Sequence, residues 1–115
     1  MQKNTIFDLI IAGKAPAEVV YKDEDVFAFK DVNPMAPIHV LVIPTRRADS
    51  FKELADMDAS YVGRYIQGVA KVATMLGLDD PGYRVVYNTG KDANQSVDYL
   101  HAHILGGRQL SWPPG

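Results

Sequence analysis

Residues 58–76 carry the one long helical period in this sequence, and that period constrains what the rest must become. Val62, Tyr65, Ile66, Val69, Val72, Ala73 and Leu76 recur at steps of three and four, while Arg64, Gln67 and Lys71 fall on the other side. Asp58 has the side chain of an N-cap, and Gly77 suits a C-terminal stop. A helix with a single apolar stripe needs a flat apolar surface to cover, so the remaining short runs are expected to form a sheet beneath it.

Those runs read as strands. Residues 18–22 and 26–29 flank the polar turn Asp23-Glu24-Asp25, and His39-Val40-Leu41-Val42-Ile43 is apolar and β-branched enough for a central strand buried on both faces, ended by Pro44. Between them Asp31-Val32-Asn33-Pro34-Met35-Ala36-Pro37 is a proline-bounded loop. Residues 50–55 predict one short helical turn, residues 83–87 a fourth strand and residues 97–105 a fifth, closed by Gly106-Gly107. At the other end Ile6, Phe7, Ile10 and Ile11 predict a short amphipathic helix, capped by Asn4 or Thr5 and stopped at Gly13. The expected fold is α+β: a five-stranded, mainly antiparallel meander with one long and one short helix, spanning residues 1–115 as a single domain with a tail over about 108–115.

Composition narrows the function. The 115 residues carry a net charge of −2 with no basic block, which argues against a nucleic-acid partner held by counterion release, though a single nucleotide needs no such block. With no cysteine, thiolate chemistry and zinc–thiolate sites are excluded. Lys3, the apolar run from Ile6 to Ala12 and Ala15-Pro16-Ala17 imitate a secretory leader, but Asp8 interrupts the run and Pro16 sits inside the supposed cleavage site. No run is long enough to span a bilayer, and a cytoplasmic protein without a membrane partner is the expectation.

Three histidines are present: His39, His101 and His103. On a strand, residues two apart share a face with Cα atoms roughly 6.5–7 Å apart, so His101 and His103 would look at one point while Leu100, Ala102 and Ile104 turn to the packing side. Upstream lies the polar loop Asn88-Thr89-Gly90-Lys91-Asp92-Ala93-Asn94-Gln95-Ser96, whose amides and side chains could gather donors for an oxyanion. A neutral imidazole is a competent nucleophile toward phosphorus, so the combination points to phosphate chemistry.

The segment from Gln95-Ser96-Val97-Asp98-Tyr99-Leu100-His101-Ala102-His103-Ile104-Leu105-Gly106-Gly107-Arg108 to the ending Trp112-Pro113-Pro114-Gly115 resembles the signature and tail of the histidine-triad (HIT) superfamily, specifically its Hint branch of purine nucleoside phosphoramidases. Phe29, Asp31, Pro34, Ala36-Pro37, His39, Leu41-Val42-Ile43-Pro44 and Asn88 extend the likeness over nearly the whole chain. The resemblance implies a hydrolase that converts purine nucleoside 5′-phosphoramidates to the monophosphate (AMP or GMP type) through a nucleotidyl-histidine, with no metal or cofactor. It implies His101 as nucleophile, His103 on a nonbridging oxygen and Ser96 beside the leaving amine. It further implies phosphate contacts from Asn88 and the backbone around Asn94 and Gln95, ribose binding by Asp31, a purine pocket of Phe7, Ile10, Phe29 and Val32, and His39 as support. Trp112 would reach the partner's site in a homodimer. One place departs: Tyr99 stands where the family motif begins with a histidine, so His101 or His39 must be supported differently.

Plainer readings stand beside these. The histidines, with Phe7, Ile10, Phe29 and Val32, could be ordinary core; Asp31 could serve its turn, and Asn88 and Ser96 could close a loop. His-x-His plus a third histidine is also a zinc arrangement, although no fourth ligand is evident. Trp112 could fold onto its own subunit. The competing functions are a nucleotide-binding scaffold with weak catalysis and a dinucleoside polyphosphate hydrolase.

Overall fold

The structure is a computed structural model that describes residues 4–115; Lys3, part of the leader-like pattern, lies outside the described residues. Helix α1 (Ile6–Ile11) begins at Thr5, whose side chain accepts from the Asp8 amide while the Asp8 carboxylate accepts from the Thr5 amide, a reciprocal cap. Strands β1 (Val19–Lys22), β2 (Val26–Lys30) and β3 (Ile38–Pro44) follow, then a 3₁₀ turn (Phe51–Asp56), helix α2 (Ala59–Met75), β4 (Tyr83–Val86) and β5 (Ala102–Gly106). Asp58 caps α2 by accepting from the Tyr61 amide, and Gly77 leaves the helix at φ +77°, a backbone angle suited to glycine. Among the described residues no helix is long and apolar enough to cross a membrane.

The expected α+β class holds, with all strand pairs antiparallel, but the sheet is not a simple meander. Its order is β1-β2-β3-β5-β4, so the last strand inserts beside β3 and leaves β4 at the edge. The side chains explain the choice: Ala102 and Ile104 of β5 have no exposure at all, whereas β4 alternates between exposed and half-buried residues. Strand β3 is buried on both faces, as its unbroken apolar run requires. Val40 and Val42 join Val26, Ala28, Ala102 and Ile104 under α2, while Leu41 and Ile43 join Phe27, Phe29, Phe7 and Ile10 on the opposite face. Each fully buried aliphatic side chain contributes about 1.5–3 kcal/mol.

Two expectations are corrected. The stripe that α2 buries is Tyr61, Tyr65, Gly68, Val69, Val72 and Ala73; Ile66 is exposed, and Val62 and Leu76 are half-buried. Gly68 causes the rotation, because a Cβ there would lie 2.4 Å from Val26 Cγ1, so the helix meets β2 through its missing side chain. The fifth strand starts at Ala102 rather than at residue 97. Before it the Leu100 amide donates to the Ala48 carbonyl at 2.7 Å, outside the ladder, and this holds the segment against a loop instead of a strand.

Candidate active site

His101 immediately precedes β5 and His103 sits within it, yet their rings meet on one face with centroids 4.9 Å apart, while Leu100, Ala102 and Ile104 are buried on the α2 side. His103 lies opposite Leu41 in the ladder and His39 opposite Leu105, which brings the third imidazole to the same face.

Hydrogen bonds determine the protons. The His101 Nδ1 is 2.7 Å from the Tyr99 carbonyl oxygen. A carbonyl can only accept, so Nδ1 carries the hydrogen and Nε2 keeps its lone pair. His39 Nδ1 accepts from the Met35 amide at 3.0 Å, which places the His39 proton on Nε2. That N–H faces His103 Nδ1 at 2.9 Å, so the His103 proton is on its Nε2. Here the chain of donors stops: His103 Nε2 is buried without a partner, the one such side-chain nitrogen or oxygen among the described residues. Leaving a buried donor unsatisfied costs about 1–3 kcal/mol, a cost that an incoming acceptor would remove.

Electrostatics agree with neutral rings. Burial lowers the pKa of His103 to about 4, helped by the neighbouring His101 and His39 and opposed by Asp31. Burial also lowers His101, against the Tyr99 carbonyl and Asp31, and lowers His39 against Asp31. At neutral pH the site therefore presents an unprotonated Nε2 on His101 beside an N–H on His103.

Both histidines line a cavity of about 420 Å³ on the face opposite α2. Phe7, Ile10 and Phe29 form its apolar wall, and Phe7 stands edge-on to the His101 ring at 5.0 Å. These residues are core and pocket wall at once. Val32 stands at the rim, 89% exposed. Asp31 lines the cavity while its Oδ1 accepts from the Asn33 amide at 2.8 Å and its Oδ2 lies 3.4 Å from His39 Nε2, so it closes its turn and also faces the cavity. Ser96 is an exposed hydroxyl on the same cavity.

The structure does not bring Asn88, Asn94, Gln95 or Trp112 to this lining. The expected cluster of loop donors is corrected: the Asn94 amide donates to the Lys91 carbonyl and the Gln95 amide to the Gly90 carbonyl, while the Gly90 amide is taken by Gln95 Oε1. The Gln95 Nε2 binds the Asp49 and Val97 carbonyls, so this side chain fastens the loop. Trp112 is 79% exposed and lies over Arg84 of the β4 edge, 5.9 Å from its guanidinium carbon. Tyr99 offers no hydroxyl to the histidines, since it donates to the Pro44 carbonyl at 2.8 Å; its support to His101 passes through the main chain.

Asp31, His39 and His103 present atoms within 4.8 Å of one another, the one grouping in the described residues that could hold a metal ion. The fit is poor. A zinc ion with Zn–N bonds of about 2.0–2.1 Å in a tetrahedral site holds ligand nitrogens roughly 3.3–3.4 Å apart, whereas His39 Nε2 and His103 Nδ1 are 2.9 Å apart, a hydrogen-bond distance. A more open cleft of about 480 Å³ beside Arg84 and Arg108 holds no histidine, and both arginines there donate to backbone carbonyls.

Known proteins resemble this chain in sequence and, where solved, in structure. A maize protein named as a 14 kDa zinc-binding protein is 50% identical over 114 residues, covering 96% of this chain and 88% of that one. A HIT-like protein of Synechocystis is 44% identical over the full length of both. Among solved structures, a HIT family hydrolase from Legionella pneumophila superposes with a TM-score of 0.91 at 38% identity, covering 97% of this chain and 100% of that one. A histidine triad protein from Clostridium difficile gives 0.87 at 39% identity, with 96% and 97% covered. The HIT domain model matches residues 12–110, which takes in His39, Asp31 and the paired imidazoles, and the chain belongs to the HIT domain family.

Proposed function

We propose that the chain hydrolyses purine nucleoside 5′-phosphoramidates to the nucleoside monophosphate through a nucleotidyl-His101 intermediate. The observation that carries this reading is the pair of opposite nitrogens: a lone pair on His101 Nε2 and, on the adjacent ring, a buried N–H lacking an acceptor. A nonbridging phosphate oxygen is the acceptor that would satisfy the second while its phosphorus faces the first.

In the first step His101 Nε2 attacks phosphorus and the P–N bond to the amine breaks. The amine leaves with a proton relayed from water through the Ser96 hydroxyl. In the second step water attacks the same phosphorus, the P–Nε2 bond breaks, and one proton returns to solvent. Throughout, His101 keeps its Nδ1 hydrogen on the Tyr99 carbonyl, which stabilises the positive ring of the adduct. Phe7, Ile10, Phe29 and Val32 would enclose the base, and Asp31 would take the ribose hydroxyls.

A homodimer belongs to the same proposal. Among the described residues the outer edge of β4 has no strand beside it, and Ile66, Tyr83 and Val85 leave an exposed apolar groove between that strand and α2. Light scattering on the eluting protein reads the assembly directly.

The test of the chemistry is release of AMP from adenosine 5′-phosphoramidate, with His101→Ala in parallel and with the adduct trapped by acid quench. Loss of turnover by roughly 10³-fold or more in the variant is expected. Nucleotide binding without turnover by the parent chain, or turnover that survives the substitution, would sink the proposal.

A further inference from the structure

Arg47, in the loop after β3, is 12% exposed at its side chain and joins three parts of the molecule. Its Nε lies 2.9 Å from Asp8 Oδ1 and one terminal nitrogen 3.0 Å from Asp8 Oδ2, a two-pronged grip on helix α1. That same terminal nitrogen donates to the Asp98 carbonyl at 3.0 Å. The guanidinium carbon sits 4.8 Å from the centre of the Tyr99 ring, and a further nitrogen pairs with Asp49.

The contacts with Asp8, Asp98 and Tyr99 bear on the nucleophile. Tyr99 presents the carbonyl that fixes His101 Nδ1, and the Asp98 carbonyl held by Arg47 lies one peptide before it. Asp8 belongs to the short helix whose Phe7 stands edge-on to the His101 ring. Burial pushes the Asp8 carboxyl up, but the bonds from Arg47 and Thr5 outweigh it and hold the group below its ordinary range. Tyr99 occupies the place where the family motif has a histidine, and Arg47 lies over its ring.

We infer that Arg47 is a positioning residue: its hold on the Asp98 carbonyl and the Tyr99 ring sets the tautomer and direction of the His101 ring, while its grip on Asp8 seats α1 beside that ring. The inference deepens the proposed function, since it concerns the same nucleophile. A lysine would not reproduce it, because a single ammonium lacks the planar fork that holds both carboxylate oxygens and a carbonyl while stacked on a ring.

The test uses the whole chain and three variants, R47M, R47K and D8N. Nitrogen-15 shifts of the imidazoles in the free protein report which ring nitrogen carries the proton. The parent is expected to show His101 in the Nδ1–H form alone. R47M is expected to show a mixture of tautomers and about a tenfold lower kcat on adenosine 5′-phosphoramidate, with R47K between it and the parent. D8N, which releases α1 but leaves the Asp98 and Tyr99 contacts, is expected to raise KM several-fold and keep the parental tautomer. Circular dichroism checks that each variant is folded; should R47M not fold, R47K carries the same comparison. Folded arginine variants with the parental tautomer and parental kcat overturn the inference. Because the tautomer is read without substrate, a parent chain that fails to cleave the phosphoramidate still tests the clamp separately from the reaction.

Discussion

Replacing His103 with asparagine removes the ring whose protonation the fold resists most, and the size of that resistance can be worked out. In the unfolded chain the imidazole takes up a proton near 6.5; in the folded protein it does so near 4, because burial and the two neighbouring histidines disfavour the charge. The folded pKa is depressed, so the contribution to stability is complete above about pH 6.5 and is lost as pH falls toward 4. At pH 5 the unfolded ring is almost wholly protonated and the folded one almost wholly neutral, a difference worth about 2 kcal/mol, or about 1.5 kcal/mol after allowing for the ring's residual contact with solvent. Urea unfolding followed by far-UV circular dichroism at pH 7 and pH 5 reads this directly. With a urea slope of about 1–1.5 kcal/mol per molar, the parent midpoint should fall roughly 1 M further than that of His103→Asn over this interval. His39 and His101 remain in both proteins, so their own titration largely cancels. Equal losses in parent and variant would refute the reasoning, since they would mean that His103 is not held neutral.

Three other outcomes follow from named contacts. Asp31→Asn should raise KM for a ribonucleotide substrate about 10- to 100-fold, the value of charge-assisted bonds to two hydroxyls, and should change KM far less for the 2′-deoxy analogue; equal effects on both substrates would remove the ribose role. Gly68→Ala forces a Cβ to 2.4 Å from Val26 Cγ1 and should cost about 1–3 kcal/mol, seen as a lower thermal midpoint. Thr5→Ala removes one half of the reciprocal cap on α1 and should cost about 1 kcal/mol in urea unfolding.

The parts legible in sequence are those governed by neighbours along the chain. The caps of α2, the two-faced burial of β3 and the shared face of His101 and His103 all follow from local chemistry and period. What escaped was set by contacts between distant segments. Whether β5 lies inside β4 depends on side-chain volume under α2, and the outward turn of Ile66 depends on how closely Gly68 meets Val26. The late start of β5 depends on a bond to Ala48. The donor loop misled because its asparagine and glutamine amides can be spent on closing the loop itself. Arg47 carried no local signal, since its partners Asp8 and Asp98 are 39 and 51 residues away.

The sheet divides its two surfaces unequally. A seventeen-residue helix covers one of them, while six residues of α1 stand over the imidazoles on the other. Substitutions under the large helix therefore act on folding free energy, whereas under the proposed function changes along α1 would act chiefly on which base is accepted. If that function holds, Ile6, Phe7 and Ile10 are where selectivity could be retuned while the scaffold beneath keeps most of its stability.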